Sequence, residues 1–427
     1  MKVFKFGGAS VENTTRIQDV VNIIQSFAGE DLVIIISAMG KTTNALEKVA
    51  TAFFNKQKAT ALQLFEEIKH QHNTAALALF KKPMHKIFMQ LQVCYTEVEW
   101  ILRDKPTKSF DYYYDQIVGI GELLSTTLIS HYMQEIGVKN KWIDVRDVFR
   151  TDHTFREAVL DWNYTQQQVD TMVAPLLKTH KILITQGFIG STDENVTTTL
   201  GREGSDYSAA IFSNMLNADS LTIWKDVKGV MNADPKQFAE AQLISTLNYK
   251  EVIEMAFYGA QVIHPKTIKP LQNRSIPLYV KCFLDKDLPG TIIHNETVKN
   301  LPPIIVMKRN QVLLTFTSKD FSFVDDKLTI ALTELFADKK LEPNISQNTA
   351  ISFIRCVDNH TDKIEALTSN ASTTFDVEVE YNLTLLTICH YNTTLLQKLT
   401  EDATIILQQQ TPETVQVLMR NNVSISE

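Results

Sequence analysis

Val3-Phe4-Lys5-Phe6-Gly7-Gly8-Ala9-Ser10 is the stretch on which the fold turns. A short run of strand-forming residues meets two glycines and a small hydroxyl residue. Apolar Ile17, Val20, Val21 and Ile24 then recur at helical spacing within Thr14–Phe27. This reads as strand, tight turn and helix. Leu32–Ile36 follows as a buried strand, by its length and β-branching. From Asn44 to about Arg103 the chain is rich in Ala, Leu, Gln and Lys with only Pro83 interrupting, which predicts two or three helices. A further helix is expected from Ile117 to about Gln134, and short strands at Trp142–Val145, Ile182–Thr185 and Leu221–Trp224. Strands separated by helices predict an α/β fold, a mostly parallel sheet sandwiched by helices. Ligands of such sheets sit at the carboxyl ends of the strands, where the glycine-rich turns fall.

The rest of the chain has another character. The 14 glycines stop at Gly290, so the final 137 of 427 residues contain none. Residues 300–427 carry 10 Lys/Arg against 16 Asp/Glu, whereas the earlier residues are nearly balanced. Two domains are therefore expected, 1–285 and 300–427. In the second, Val312–Thr317 predicts a strand and Val324–Ala337 a helix. Leu341–Ser346 and Ala350–Val357 suggest a hairpin across Gln347-Asn348, and Lys363–Ser369 a helix. Phe375–Glu380 and Thr384–Cys389 suggest a second hairpin, followed by a helix at Thr394–Leu399 and strands at Thr404–Leu407 and Val415–Met419. The order β-α-β-β-α-β with strands left over for a second copy predicts two ferredoxin-like α+β modules.

Composition excludes several classes. A net charge of −7 argues against non-specific nucleic-acid binding, which needs a basic surface. The longest aliphatic run, Leu32–Ile36, falls far short of the ~20 residues that span a bilayer. The N-terminus has no signal-peptide core, so a cytoplasmic protein is expected. Cys94, Cys282, Cys356 and Cys389 lie far apart with no His at metal spacing, which predicts free thiols and no metal site built from them.

Eleven glycines fall in or beside polar turns. Gly7, Gly8 and Ser10 can form a nest of backbone N–H groups for phosphate oxygens, with Lys5 adding a point charge. Ser37-Ala38-Met39-Gly40-Lys41-Thr42-Thr43-Asn44 follows a strand; Ser37 and Thr43 can meet a small polar ligand, or Thr43 or Asn44 can simply cap the next helix. Glu122, beside Gly119 and Gly121, suits either an ammonium group or the dipole of a helix start. The densest turn runs from Gln186-Gly187-Phe188-Ile189-Gly190 to Gly201-Arg202-Glu203-Gly204-Ser205-Asp206. Arg202 can fork onto a carboxylate, Ser205 and the following helix N-terminus can hold an anion, and Asp206 can cap that helix or orient Lys5 or a magnesium-bound phosphate. Lys225, Asp226 and Lys236 flank a turn at Asp234-Pro235, and His264-Pro265 marks another helix start.

Together and in this order, these segments resemble the aspartate kinases of the amino-acid kinase superfamily. Lys5-Phe6-Gly7-Gly8-Ala9-Ser10-Val11 is similar to that family's opening motif, with Ala9 in place of Thr. Gly201-Arg202-Glu203-Gly204-Ser205-Asp206 is similar to its Gly-Arg-Gly-Gly-Ser-Asp, with Glu203 in place of Gly. The resemblance implies phosphoryl transfer from MgATP to the side-chain carboxylate of L-aspartate, the first step of lysine, threonine and methionine biosynthesis. It assigns Lys5 to the transferring phosphoryl group and Asp206 to orienting Lys5. Ser37, Thr43, Glu122, Phe188, Arg202 and Ser205 match aspartate contacts. Lys5, Gly7, Gly8, Ser10, Lys225, Asp226, Met231, Lys236 and Gln261 match nucleotide contacts. Lys225 replaces a usual Thr and Gln261 a usual Lys, so a weaker nucleotide affinity is expected. The C-terminal region resembles the family's paired ACT regulatory domains, which implies a homodimer and an amino-acid effector. At this length a monofunctional enzyme is expected, with no dehydrogenase fused to it.

Two other readings compete. One is a different amino-acid kinase, which the Gly-Arg-x-Gly-Ser-Asp turn disfavours. The other is a catalytically impaired regulatory subunit, which Gln261 and Lys225 favour and the retained Lys5, Arg202 and Asp206 oppose. The stretch Thr317–Phe323, where an ACT effector loop is expected, lacks glycine, so feedback by lysine or threonine is expected to be weak, absent or differently built.

Overall fold

The first strand, β1 (Lys2–Phe6), is buried over its last four residues and lies between β2 (Leu32–Ile36) and β7 (Ser220–Lys225). The computed structural model describes residues 1–82, 85–260, 262–320 and 322–421. Gln261 and Phe321 lie outside the described residues. The remaining strands of the first region are β3 (Lys141–Trp142), β4 (Ile182–Gln186), β5 (Ile189–Ser191), β6 (Thr197–Thr199), β8 (Thr246–Asn248), β9 (Leu278–Cys282) and β10 (Thr291–His294). They form an eight-stranded sheet in the order β3-β4-β2-β1-β7-β9-β10-β8, with β5 and β6 as a separate antiparallel pair. Every pairing in the large sheet is parallel except β9 with β10.

Register places the site. Phe6 pairs with Ile36 on one side and Trp224 on the other, and Ile36 pairs with Gln186. Four strands therefore end level, and the turns at Gly7, Ser37, Gly187 and Lys225 share one rim of the sheet. Each central strand is almost wholly buried, as expected for a parallel sheet covered on both faces.

The long helical segment is three helices, Thr42–Phe54, Lys58–Phe80 and Ile87–Arg103, within the two or three expected. Other expectations need correction. The helix expected from Ile117 is two, Phe110–Val118 and Ile120–Glu135, broken at Gly119. The strand expected at Trp142–Val145 shrinks to β3, because the Asp144 carboxylate accepts from the Arg146 N–H and starts a helical turn at Val145.

The chain divides into two units. The first holds Met1–Val230, Leu243–Ile253 and Ile263–Val298. The second holds Met231–Gln242, Glu254–Val262 and Lys299–Glu427. The boundary thus differs from a single cut near residue 290, since two short excursions of the chain group with the second unit. Asn232 explains the first excursion. Its carbonyl accepts from the Ile305 N–H at 2.7 Å and its side-chain amide donates to the Pro303 carbonyl at 2.9 Å.

In the second unit, β11 (Ile304–Ser318), β12 (Pro343–Asn348), β13 (Ser352–Asp358), β14 (Phe375–Cys389), β15 (Ala403–Gln410) and β16 (Thr414–Asn421) form one antiparallel sheet, ordered β12-β13-β11-β14-β16-β15. The two stretches expected as a hairpin, Phe375–Glu380 and Thr384–Cys389, are one continuous strand, β14. Gln347-Asn348 is not a hairpin tip either: Asn348 pairs with Phe353, and the turn is made by Thr349 to Ser352.

The second copy of the α+β module emerges from this order. Gln311–Ser318, the helix Asp326–Asp338, β12, β13, the helix Thr361–Ala371 and the first half of β14 make a complete βαββαβ set. The second half of β14, the helix Thr393–Thr400, β15 and β16 repeat its start. Their outstanding strand is Ile304–Lys308, the first part of β11, which pairs with Leu385–Cys389. Read from either edge, the sheet has the same strand pattern. The register shifts between Lys308 and Leu313 mark where β11 passes from one module to the other. Asn310 and Asn382 there take φ of 56° and 62°, a left-handed conformation that Asn tolerates better than most residues.

Candidate active site

Lys5 stands at the end of β1, one residue before the turn, and its ammonium lies 2.6 Å from Asp206 Oδ1. Asp206 comes from the first turn of the helix Gly204–Met215, and both side chains are nearly buried. The turn after β1 is compact. A methyl group on Gly8 would sit 2.7 Å from the Gly40 carbonyl oxygen and 2.9 Å from that of Ala38, so only glycine allows the two loops to meet. Ser10 faces inward, and its hydroxyl donates to the Trp224 carbonyl at 3.3 Å. Gly7 stays beside the cation, its missing Cβ 3.4 Å from Lys5 Nζ.

Glu122 enters from the first turn of Ile120–Glu135. Its helix is pressed on the second loop, where a Cβ on Gly121 would lie 3.0 Å from that of Ala38, and Ser125 donates to the Ser37 carbonyl at 2.8 Å. The Glu122 carboxylate accepts from the Ala38 N–H, while its Oε2 is buried without a partner. Burial pushes its pKa up to about 8, against the opposing pull of the Ala38 N–H and the Lys5 charge. A buried carboxylate oxygen with nothing to accept from is suited to an incoming cation. Ser37 and Thr43 are half-buried. Thr42, rather than Thr43, is committed to the turn, donating to the Met39 carbonyl at 2.6 Å.

The Gln186–Asp206 segment is fixed by close backbone approach. A Cβ on Gly187 would fall 2.7 Å from Ser205 Cα, and one on Gly204 2.7 Å from the Phe188 ring. Phe188 adopts φ of 68°, and its N–H donates to Ser208 Oγ at 2.9 Å. Ser205 is buried at the helix start, and Arg202 projects into solvent with no partner among the described residues. This part of the molecule therefore carries a buried ion pair, a carboxylate with one oxygen left unpartnered, a guanidinium with no partner among the described residues and a helix N-terminus. That set can hold a small zwitterion by both charges and stabilise an anionic group next to it.

The expected nucleotide contacts are less fully gathered. Lys225 ends β7 on the shared rim, with exposed Asp226 after it. Met231 and Lys236 belong to the second unit, where the Lys236 N–H donates to Asp234 Oδ1 at 2.9 Å. Among the described residues no group of three or more His, Cys, Asp or Glu is placed to hold a metal ion. Magnesium bound through phosphate oxygens and water needs no such cage.

One residue escaped the sequence reading. Asp115 is fully buried and accepts from Arg156 N–H, Thr199 N–H and Thr199 Oγ1, which anchors the approach to Gly201. Burial lifts its pKa to about 6 despite those bonds. The signal was Asp111 and Asp115 at one-turn spacing, of which only the second falls on the apolar face with Val118.

A profile described as "Amino acid kinase family" matches residues 1–282. The lysine-sensitive aspartokinase 3 of Escherichia coli is 33% identical over 319 residues, covering 74% of this chain and 69% of that protein. A chloroplastic bifunctional aspartokinase/homoserine dehydrogenase 2 of Arabidopsis thaliana is 34% identical over 300 residues, 68% of this chain. The chain spans 32% of the length of that bifunctional relative. Among solved structures, E. coli aspartokinase III in complex with aspartate and ADP superposes with a TM-score of 0.79 at 26% identity, covering 98% of this chain and 96% of that one. The aspartate kinase of Clostridium acetobutylicum, at 21% identity and a TM-score of 0.78, shares the fold.

Proposed function

The chain belongs to the aspartokinases of the amino acid kinase family, and from that membership we propose that it transfers the γ-phosphoryl group of MgATP to the side-chain carboxylate of L-aspartate, giving 4-phospho-L-aspartate. The observation that carries the reading is the buried Lys5–Asp206 pair at 2.6 Å, set at the rim near the Glu122 carboxylate, whose Oε2 has no partner among the described residues. Phosphoryl transfer needs positioning and charge neutralisation more than covalent chemistry. The Lys5 ammonium neutralises charge on the transferring group, and Asp206 holds that ammonium in place. Glu122 Oε2 accepts from the substrate ammonium. Arg202 takes a substrate carboxylate, with Ser205 and the helix N-terminus completing the cradle. The substrate carboxylate is itself the nucleophile, so no general base is required. Bound magnesium would screen the phosphates; Lys225, Asp226, Met231 and Lys236 are the nucleotide contacts of this reading, and Gln261 is a further one.

In this reading, residues 1–285 form the catalytic domain and 300–427 a pair of ACT regulatory modules, the enzyme is a cytoplasmic homodimer through those modules, and it serves aspartate-pathway amino-acid biosynthesis. E. coli aspartokinase III has been solved with lysine and aspartate. Here the turn after β11 closes on itself, the Asp320 carboxylate accepting from Ser318 Oγ at 2.6 Å and the Ser322 N–H at 3.0 Å. Those bonds hold the Asp320 carboxyl down at about 2. The feedback proposed for lysine and threonine is weak, absent or differently built.

The test is ADP release with and without aspartate at saturating MgATP, with hydroxylamine trapping of the acyl phosphate. Aspartate-dependent ADP and hydroxamate are expected. Aspartate binding without turnover identifies an amino-acid sensor instead. Strong inhibition by millimolar lysine or threonine overturns the regulatory part alone, and a monomer by light scattering overturns the dimer.

A further inference from the structure

Glu203 occupies a position that its own side chain disfavours. It takes φ of 53° and ψ of 28° immediately before the helix Gly204–Met215. That left-handed conformation suits glycine and strains most other residues. A glutamate that persists there needs a compensating contact, and the structure supplies one. Glu203 Oε2 accepts from the His264 N–H at 3.0 Å. His264 in turn caps the helix Pro265–Gln272, its Nδ1 accepting from the Lys266 N–H at 3.2 Å. A second tie runs beside the first. Lys266 Nζ donates to the Leu200 carbonyl at 2.9 Å, and its ammonium lies 4.9 Å from the centre of the Tyr207 ring. The 264–266 segment thus grips the 200–207 loop at both ends.

The loop has other anchors, and Arg202 lies between them. A Cβ on Gly201 would lie 3.1 Å from the Arg156 carbonyl oxygen, and Gly204 is pressed on Phe188. Backbone bonds close the turn itself, the Gly204 N–H donating to the Gly201 carbonyl at 3.0 Å and the Tyr207 N–H to the Glu203 carbonyl at 3.1 Å, and the bond to His264 ties that turn to the neighbouring segment. The Arg202 side chain has no partner among the described residues, so its direction depends on how its backbone is held. The bond to His264 also turns the Glu203 carboxylate towards the 264 segment, away from competition for the neighbouring guanidinium.

We propose that Glu203 is a positioning residue that clasps the Arg202 loop to the backbone of His264, and so holds Arg202 ready for the carboxylate of an amino-acid substrate. The inference rests on the aspartate kinase reading for the identity of that substrate; the clasp itself is independent of it. The clasp acts on binding, so its loss raises KM rather than lowering kcat.

The test compares Glu203→Gly, Glu203→Ala and Glu203→Gln in the full-length protein. Glycine removes the clasp and relieves the backbone, so melting temperature stays level or rises while KM for aspartate rises about five- to twentyfold, the range a charge-assisted hydrogen bond at an exposed site allows. Alanine gives the same rise in KM with a lower melting temperature, because it keeps the strained backbone. Glutamine retains an acceptor oxygen and keeps KM within about threefold. Amide hydrogen exchange of His264 reads the clasp without turnover, and is expected to quicken in the glycine and alanine variants only. Unchanged KM and unchanged His264 exchange in folded Glu203→Gly overturn the proposal. A wild-type protein that neither binds nor phosphorylates aspartate overturns the kinase reading, and the exchange experiment then decides the clasp alone.

Discussion

In the first unit the buried polar residues include Lys5, Asp115, Glu122 and Asp206, whereas in the second they are Gln311, Ser318, Thr384 and Thr387, among the described residues. The first unit also places glycine at left-handed positions such as Gly40 and Gly201, beside non-glycine ones such as Phe188 and Glu203, whereas the glycine-free tail holds such backbone with Asn310, Lys340 and Asn382. Both units are layered α/β or α+β structures with well-filled cores, so neither difference is forced by folding. Burying a charge is unfavourable unless it is paired, and removing a side chain altogether only helps where something else must approach. The first unit accepts both conditions along one rim of its sheet. The contrast teaches that the chemistry is localised by what is buried and by what is omitted.

The contrast can be broken experimentally at four places. The largest effect is expected for Lys5→Met. It removes the charge at the transferring group and strands Asp206, so kcat for ADP release falls by about a thousandfold or more. Activity within tenfold of wild type would detach the buried pair from catalysis. Next comes Glu122→Gln, expected to raise KM for aspartate by about a hundredfold, since a buried site without its counter-charge rejects an ammonium strongly. It carries a pH signature as well. The folded protein keeps the Glu122 proton up to about 8, while the unfolded chain loses it near the ordinary 4.5. Stability is therefore greatest below that lower value and declines as pH rises through the upper one. Glutamine removes the decline, so the variant melts higher than wild type at pH 8. The fall in wild-type KM as Glu122 ionises around pH 8 is also lost in the variant.

A smaller effect is expected for Gly187→Ala. Its Cβ would fall 2.7 Å from both Ser205 Cα and Cβ, so the helix start must shift. An activity loss of about tenfold with little change in melting temperature is expected, because near-attack geometry is lost before packing is. The smallest effect on turnover belongs to the second unit. Gln311 donates to Asp358 at 2.8 Å and accepts from Asn344 at 2.8 Å. Gln311→Ala is expected to lower stability by about 1–3 kcal/mol, read in a urea titration, with kcat unchanged within about twofold. A large loss of turnover there would erase the contrast.

Much of this was legible in the sequence. Leu32–Ile36 has the length and branching of a buried parallel strand, and the turns after β1, β2 and β4 announce themselves by glycine. Lys5 and Asp206, two hundred positions apart in the chain, were paired through the resemblance and meet at 2.6 Å. In the sequence Glu122 suits two explanations, because a first-turn carboxylate looks the same whether its second oxygen finds a partner or not. The fusion of two stretches into β14 was hidden. Asn382 and its neighbours read as a turn, since Asn favours left-handed backbone, but here that conformation makes an irregularity inside one strand. The clasp at Glu203 was invisible because its partner is a backbone N–H, which leaves no mark in a sequence.

The sharing of β11 and β14 between the two C-terminal modules has a consequence for the order in which the chain is made. Ile304–Lys308 is synthesised early but takes its strand pairing from Leu385–Cys389, and those in turn are covered by β16. Domains tend to fold as they emerge from the ribosome, N-terminal parts first. Here the nested module can close by itself, while the one surrounding it stays open until the last strand arrives. During that interval β14 presents Leu385, Leu386 and Ile388 on an unpaired edge, the kind of edge that recruits other chains. A nascent chain stalled just before Thr414 is therefore the species most exposed to misassembly, and the final strand acts as the latch on the whole tail.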